Sequence, residues 1–116
     1  MKKFLVVYHA PAEALEQTMN VSPEDQAKGM EAWMHWAQKA GSHLVEMGAP
    51  LMNGHAFHSD GSVNSSTKQV SGYSILQAED MESAKSLLDG HPHISGWHPD
   101  ATIELHETME LPGMNN

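Results

Sequence analysis

The sequence predicts an α+β fold of the ferredoxin-like, split βαβ type, with a four-stranded antiparallel sheet and two helices on one face. Short apolar runs and two amphipathic segments follow one another as strand, helix, strand, strand, helix, strand. The first run is also apolar on both faces, which is typical of a strand covered on both sides. A chain of 116 residues is long enough for one such domain, and we assign residues 1–112 to it.

Composition and charge exclude several classes of protein. The net charge is −9 and only six residues are Lys or Arg, which argues against a nucleic-acid partner because phosphate binding needs clustered cations. The absence of cysteine excludes disulfides and thiolate ligands. No apolar run reaches the roughly 20 residues of a membrane span, and the run that starts at Phe4 stops at Tyr8, too early for a secretion signal. We therefore expect a cytoplasmic protein without a membrane partner.

The first half of the chain predicts a strand, a loop and a long helix. The strand runs from Phe4 to Tyr8, and His9 closes it on the face of Leu5. Residues 10–21 predict a loop, with a short helical turn at most over 12–17. Ser22 then caps a helix that starts with Pro23 and stops at Gly41. Its predicted buried stripe is Ala27, Met30, Trp33, Met34, Ala37 and Ala40, with Trp36 on the flank, where we expect another chain to cover it.

The second half predicts three strands and a second helix. The strands are expected over residues 43–47, 70–76 and 101–109, and the last of them should point Ile103, Leu105 and Met109 inward. Residues 51–59 are expected as an irregular extended arm and 62–68 as a polar hairpin loop. The helix lies between Asp80 as N-cap and Gly90 as C-terminal stop. Gly72 and Ser74 share one face of the middle strand and leave little side-chain bulk there, which favours close helix packing or a cavity. Residues 113–116 are expected to be a disordered tail.

Several short motifs recur in an order that resembles a known family. They are the strand ending in Tyr8, the Ser22-Pro23-Glu24 helix start, Gly41-Ser42-His43-Leu44 followed by Gly48-Ala49-Pro50, Gly72-Tyr73, the His91-Pro92 turn and Ile103-Glu104-Leu105. Over roughly residues 3–112 the chain resembles the YCII-related family, including its DGPF branch. The resemblance implies a dimeric α+β barrel, in which two ferredoxin-like subunits pack sheet to sheet. It also implies a lyase-like activity on a small molecule, since one family member is a lyase that acts on a chlorinated hydroxyquinone.

The sequence departs from the family at its proposed His–Asp pair. Met30 stands at the helix position of the histidine, and His91 stands at the position of the aspartate before Pro92. The DGPF motif is replaced by the stretch from Ser65 to Lys68. Roles for the family's pair therefore cannot be transferred to this chain.

Histidines supply the candidate site. His9, His91 and His93 are candidate general bases, with Asp89 as an orienting carboxylate, because histidine titrates near neutral pH and needs a partner to orient it. His35, Gly72, Tyr73 and Ser74 are candidate ligand-binding residues. We expect the pocket where the end of the first strand, the small-residue face of the third strand and the turn after the second helix meet.

Two classes of function remain open. One is a small-molecule enzyme that uses a histidine general base in a pocket at the barrel edge. The alternative is a non-catalytic domain that binds a small ligand. No cofactor is expected, and no metal site, because neither His91/His93 nor His55/His58 supplies the three or four ligands that a metal needs. A homodimer is expected, because helices on one side leave the other face of an apolar sheet in water.

Overall fold

The computed structural model describes residues 1–112, and the tail expected to be disordered, 113–116, lies outside them. This part of the chain forms six strands: β1 (Lys2–His9), β2 (Leu44–Glu46), β3 (His55–Phe57), β4 (Val63–Ser65), β5 (Val70–Ala78) and β6 (Thr102–Glu107). Four of them make an antiparallel sheet in the order β2-β5-β1-β6. This order, with its helical crossovers, is compatible with a ferredoxin-like fold. The separate hairpin β3–β4 was expected only as irregular, polar chain.

Residues 1–112 form three α-helices instead of the two that the sequence predicts. They are α1 (Ala12–Met19), α2 (Pro23–Ala40) and α3 (Met81–Leu87). The ends of α2 are as predicted: the Ser22 hydroxyl accepts the Asp25 N–H, and Gly41 ends the helix at a φ of 58°. Asp80 caps α3 by accepting the Ser83 N–H. In the segment predicted as a loop, α1 forms over eight residues and buries only Ala14.

The core lies between one face of the sheet and helices α2 and α3. Phe4, Val6 and Tyr8 of β1 are buried there, beside Leu76 of β5 and Trp36 of α2. Ile103 and Leu105 of β6 pack against the same cluster, as predicted. On the opposite face, Leu5, Val7 and His9 of β1 are half-buried, and none of the helices within residues 1–112 contributes to the core there, so the side chains of β1 alternate between two environments.

The buried face of α2 differs from the predicted stripe. Trp36 was expected on the flank, but it is buried, and its Nε1–H donates to the Leu87 carbonyl oxygen at 2.8 Å. Met30 and Met34 were expected inside and are exposed. The larger indole ring therefore sets the rotation of the helix, because it buries more apolar surface and has a carbonyl to bond. Met109 was also expected inside, but β6 ends at Glu107 and Met109 is exposed.

Candidate functional site

A cleft of about 1320 Å³ opens on the helix-covered side of the sheet. Its floor contains Tyr8 at the end of β1, Ser71 and Gly72 of β5, and His93. This is the place where the sequence predicts a pocket, at the meeting of the first strand, the small-residue strand and the turn after the last helix. Because Gly72 has no side chain, Ala49 and Tyr8 can lie close to the backbone of β5. A Cβ atom at Gly72 would lie 3.2 Å from both Ala49 O and Tyr8 Cδ2.

Three walls surround the floor of this cleft. The first is α2, which presents Gly29, Met30, Trp33 and His35; the second is the segment Met47–Pro50; the third is the turn with Pro92, His93 and Trp97. Helix α1 closes one end with Leu15, Thr18 and Met19. The Trp97 Nε1–H donates to Thr18 Oγ1 at 2.9 Å and joins α1 to the third wall. Largely apolar walls with a few polar groups are typical of small-molecule sites.

The wall Met47–Pro50 lies directly on the backbone of β5. Gly48 has a φ of 77°, and a Cβ atom at Gly48 would come within 1.9 Å of Tyr73 O, so only glycine fits. The Tyr73 N–H donates to Ala49 O, and the Leu51 N–H donates to Ser71 O. The sequence indicated no more than a strand end here, so this wall was missed.

His91 is fully buried beneath the cleft and does not line it. Its ring packs against Trp33, Trp36 and Tyr8, with centroid separations of 4.6, 4.3 and 5.1 Å. Burial, with the nearby His93 as a second cause, lowers the pKa of His91 from 6.5 to about 3. The imidazole is therefore neutral at physiological pH.

The hydrogen bonds of His91 fix its tautomer. Its Nδ1 accepts the backbone N–H of His93 at 3.0 Å, so the proton of the neutral ring lies on Nε2. The Nε2–H then donates to the Tyr8 hydroxyl at 3.1 Å. With both nitrogens occupied and no exposed surface, His91 has no free lone pair to offer a substrate. It serves as a fixed hydrogen-bonding group.

Tyr8 and Ser74 continue this chain of hydrogen bonds. Because Tyr8 accepts from His91, its own proton points to Ser74 Oγ at 2.7 Å. The Ser74 hydroxyl donates in turn to the Met47 carbonyl oxygen at 2.6 Å. Burial raises the pKa of Tyr8 to about 12, against the smaller opposing effect of its bond to Ser74. The chain is thus uncharged from end to end.

His93 lines the cleft, and the hydrogen bond of its ring determines which nitrogen carries the proton. Its Nε2–H donates to the His9 carbonyl oxygen at 3.0 Å, so Nδ1 is the unprotonated nitrogen of the neutral ring. Burial lowers the pKa of His93, while contacts with the backbone of His9 and Thr102 act in the opposite direction. Its ring lies 5.1 Å from Tyr8 and 5.2 Å from Trp97, measured between centroids.

The other predicted site residues do not converge on one point. The His9 side chain points to the uncovered face of the sheet, where Nδ1–H donates to Lys68 O and Nε2 lies 3.6 Å from Glu104. Asp89 is exposed, and its backbone carbonyl, not its carboxylate, accepts Lys39 Nζ at 3.4 Å. It therefore orients neither His91 nor His93.

Of the predicted ligand-binding residues, three line the cleft and one lies beneath it. His35 is exposed on the α2 wall, Gly72 is on the floor and Tyr73 is at the edge, where contact with the Glu46 carboxylate raises the pKa of its phenol. Ser74 is fully buried under the floor. The sequence did not predict Trp33 and Trp97 as cleft residues. The adjacent Trp97 and His98, in the turn that follows His93, were a signal that could have indicated Trp97.

Comparison with known proteins adds no identity. No protein-family model and no curated protein matches this chain. Within residues 1–112, no group of three or more histidine or acidic side chains is arranged to hold a metal ion. None of the helices in this part of the chain has the length and apolar character needed to cross a membrane.

Proposed function

We propose that this protein binds a small, planar and largely apolar organic molecule in the cleft between α2, Met47–Pro50 and the Pro92–Trp97 turn. The observation that carries this proposal is the aromatic lining: Trp33, Tyr8, His93 and Trp97 lie around one opening of about 1320 Å³. Aromatic walls favour planar ligands by stacking and by burial of apolar surface. The neutral His91–Tyr8–Ser74 chain places no charge under the floor, so an uncharged ligand meets no desolvated ion.

The proposal is tested with the neutral fluorescent probe 1-aminoanthracene. Gly29→Trp adds a large ring on the α2 wall of the cleft, at a position where a Cβ atom meets no other atom within 4 Å. We expect the probe to bind the unmodified protein and to bind the Gly29→Trp variant at least tenfold more weakly. The matched control is Gln38→Trp, on the exposed side of the same helix and outside the cleft. Equal binding to both variants would show that the cleft is not the site.

A second candidate function is catalysis with His93 as the general base. The observation that favours it is the fixed tautomer, which leaves Nδ1 of a cleft histidine unprotonated. The family resemblance suggests chlorinated hydroxyquinones as substrates, with release of chloride as the readout. His93→Gln should abolish this release while the protein remains folded, as measured by its circular dichroism spectrum. Chloride release at an unchanged rate in His93→Gln would refute this role.

We also propose that the chain belongs to the YCII-related family and forms a homodimer through the uncovered face of its sheet. The centre of this face is apolar: Leu5 pairs with Ile75, and Val7 lies beside them on β1. At its edge, Glu104 lies 3.1 Å from His106 and 3.6 Å from His9. A second copy would remove the apolar centre from water, which stabilises association by roughly 25 cal/mol for each Å² buried.

A further inference from the structure

A strap of side chains passes beneath the floor of the cleft and ends on two of its walls. We define the strap as His91, Tyr8 and Ser74, all of them at least nine-tenths buried. One end is the backbone N–H of His93, on the turn that forms the third wall. The other end is the carbonyl oxygen of Met47, where the opposite wall begins.

The direction of every hydrogen bond in the strap is determined. His93 N–H donates to His91 Nδ1, and His91 Nε2–H donates to Tyr8. Tyr8 then donates to Ser74, and Ser74 donates to Met47 O. A backbone N–H at one end and a carbonyl at the other do not exchange protons during a reaction, so the strap does not conduct protons. Its four hydrogen bonds instead link the position of the His93 turn to the position of the Met47–Pro50 wall.

We propose that the strap sets the distance between the Met47–Pro50 wall and the His93 turn, and that His91 and Ser74 are therefore positioning residues for the ligand. This inference rests on the proposed binding function. Neither His91 nor Ser74 lines the cleft. Any effect of either side chain on affinity must therefore pass through the walls. Tyr8, in the middle, both belongs to the strap and contributes to the floor.

The strap makes a specific prediction about non-additivity. Loss of one hydrogen bond of the strap should release the Met47–Pro50 wall from the His93 turn as fully as loss of two. The effects of Tyr8→Phe and Ser74→Ala on probe affinity should therefore not add. Each variant should weaken binding of 1-aminoanthracene about tenfold, the scale of one lost hydrogen bond with an unpaired partner. The double variant should bind no more weakly than the weaker of the two single variants.

The test combines probe titration with nuclear magnetic resonance of protein labelled at methionine methyls and histidine nitrogens. The spectrum of the unmodified protein should show His91 as the neutral Nε2–H tautomer at pH 7. Tyr8→Phe and Ser74→Ala should shift the Met47 methyl signal in the same direction. Ala84→Gly is the control for stability, because Ala84 is the buried residue of α3 and does not line the cleft. It should lower stability and leave probe affinity and the Met47 signal unchanged.

The outcomes separate this inference from the proposed function. An unshifted Met47 signal, a different His91 tautomer, or equal weakening of binding by Ala84→Gly would overturn the strap. Additive losses of affinity in the double variant would overturn it as well. If the Met47 signal shifts as expected and the unmodified protein binds no probe, the role of the strap in positioning the Met47–Pro50 wall is supported and the proposed binding function is contradicted.

Discussion

At the scale of single residues, the fate of His91 follows from where its ring lies. A histidine on a turn past a helix end suggests an accessible, titratable base. Here Trp33, Trp36 and Tyr8 enclose the ring, and both nitrogens are bonded. The cost of charging an imidazole away from water outweighs its ordinary affinity for a proton near neutral pH. His93, two residues further along the chain, contributes to the cleft lining, and Nδ1 is the unprotonated nitrogen of its ring.

Removal of the His91 ring should destabilise the fold strongly. His91→Ala would leave a cavity among three aromatic rings, an unpaired Tyr8 hydroxyl and an unpaired His93 N–H. We expect a loss of about 3–5 kcal/mol in the free energy of unfolding, measured by urea titration. His35→Ala, at an exposed position on α2, should change it by less than about 0.5 kcal/mol. A loss under about 1 kcal/mol for His91→Ala would contradict the buried arrangement.

Stability should also depend on pH through His91. Its pKa is about 3 in the folded protein and 6.5 as the reference value, so the unfolded chain binds the proton first as the pH falls. The free energy of unfolding should therefore be constant above about pH 7 and decrease from there toward pH 3. By linkage, the loss at pH 5 is up to about 2 kcal/mol. His93, whose pKa is also lowered, acts in the same direction.

The measurement is the urea midpoint at pH 7.5 and at pH 5. Most of the change due to the lowered carboxyl pKa values of Asp60, Asp80 and Glu104 comes below this window, because their ordinary pKa values are 3.8, 3.8 and 4.5. His91→Asn keeps an acceptor for the His93 N–H and removes the titrating ring. Its midpoint should change less between the two pH values than that of the unmodified protein. An equal change would assign the dependence to other groups.

At the scale of elements, α2 shows which features local sequence predicts well. Ser22, Pro23 and Gly41 mark its ends correctly, because capping depends on a few adjacent residues and backbone angles. The predicted rotation of α2 about its axis was wrong. It depends on the hydrogen bond between Trp36 and Leu87, which are 51 positions apart, and local sequence does not show such a contact. Only a short helical turn was expected where α1 forms, because its N-cap residue, Pro11, makes no side-chain cap bond that would mark a helix start. The hairpin β3–β4 was not predicted, because strands of three residues each are too short to show an apolar pattern.

Two glycines at the interior and the end of α2 should respond oppositely to alanine. Gly29 lies in the helix with open space around its Cβ position, so Gly29→Ala should stabilise the protein by up to about 1 kcal/mol. Gly41 has φ 58° and ψ −130°, a region that alanine rarely adopts, so Gly41→Ala should destabilise it by about 1 kcal/mol or more. Thermal unfolding of both variants checks the sign. Changes of the same sign would contradict these backbone angles.

At the scale of the whole molecule, the fold and the place of the cleft could be predicted from sequence more readily than its chemistry. The order of strands and helices follows from local apolar patterns, and the position of Gly72 beside the end of β1 follows from the sheet topology. Which histidine faces the cleft could not be predicted. His9 and Tyr8 are adjacent in sequence but lie on opposite faces of β1. His91 and His93 are both buried, but only His93 contributes to the cleft lining.

If the uncovered face of the sheet is the homodimer interface, one charged side chain at its centre should prevent dimer formation. Ile75 lies opposite Leu5 at the apolar centre of that face. Ile75→Lys should convert a homodimer into a monomer of 12.7 kDa, as measured by light scattering, because two copies would bury unpaired ammonium groups against each other. Ser86→Lys, on exposed α3, is the control and should remain dimeric. A monomeric unmodified protein, or a dimeric Ile75→Lys variant, would contradict the proposed interface.

The central claim, a ligand site in the aromatic cleft, is tested most directly by the three indole N–H signals of the protein. Trp33 and Trp97 line the cleft, whereas Trp36 is buried with its N–H bonded to Leu87 O and serves as an internal reference. Titration with 1-aminoanthracene, followed by ¹H–¹⁵N nuclear magnetic resonance, should shift the signals of Trp33 and Trp97 with one common dissociation constant. The Trp36 signal should move least. A shift confined to Trp36, or no saturable shift of Trp33 and Trp97, would contradict the site.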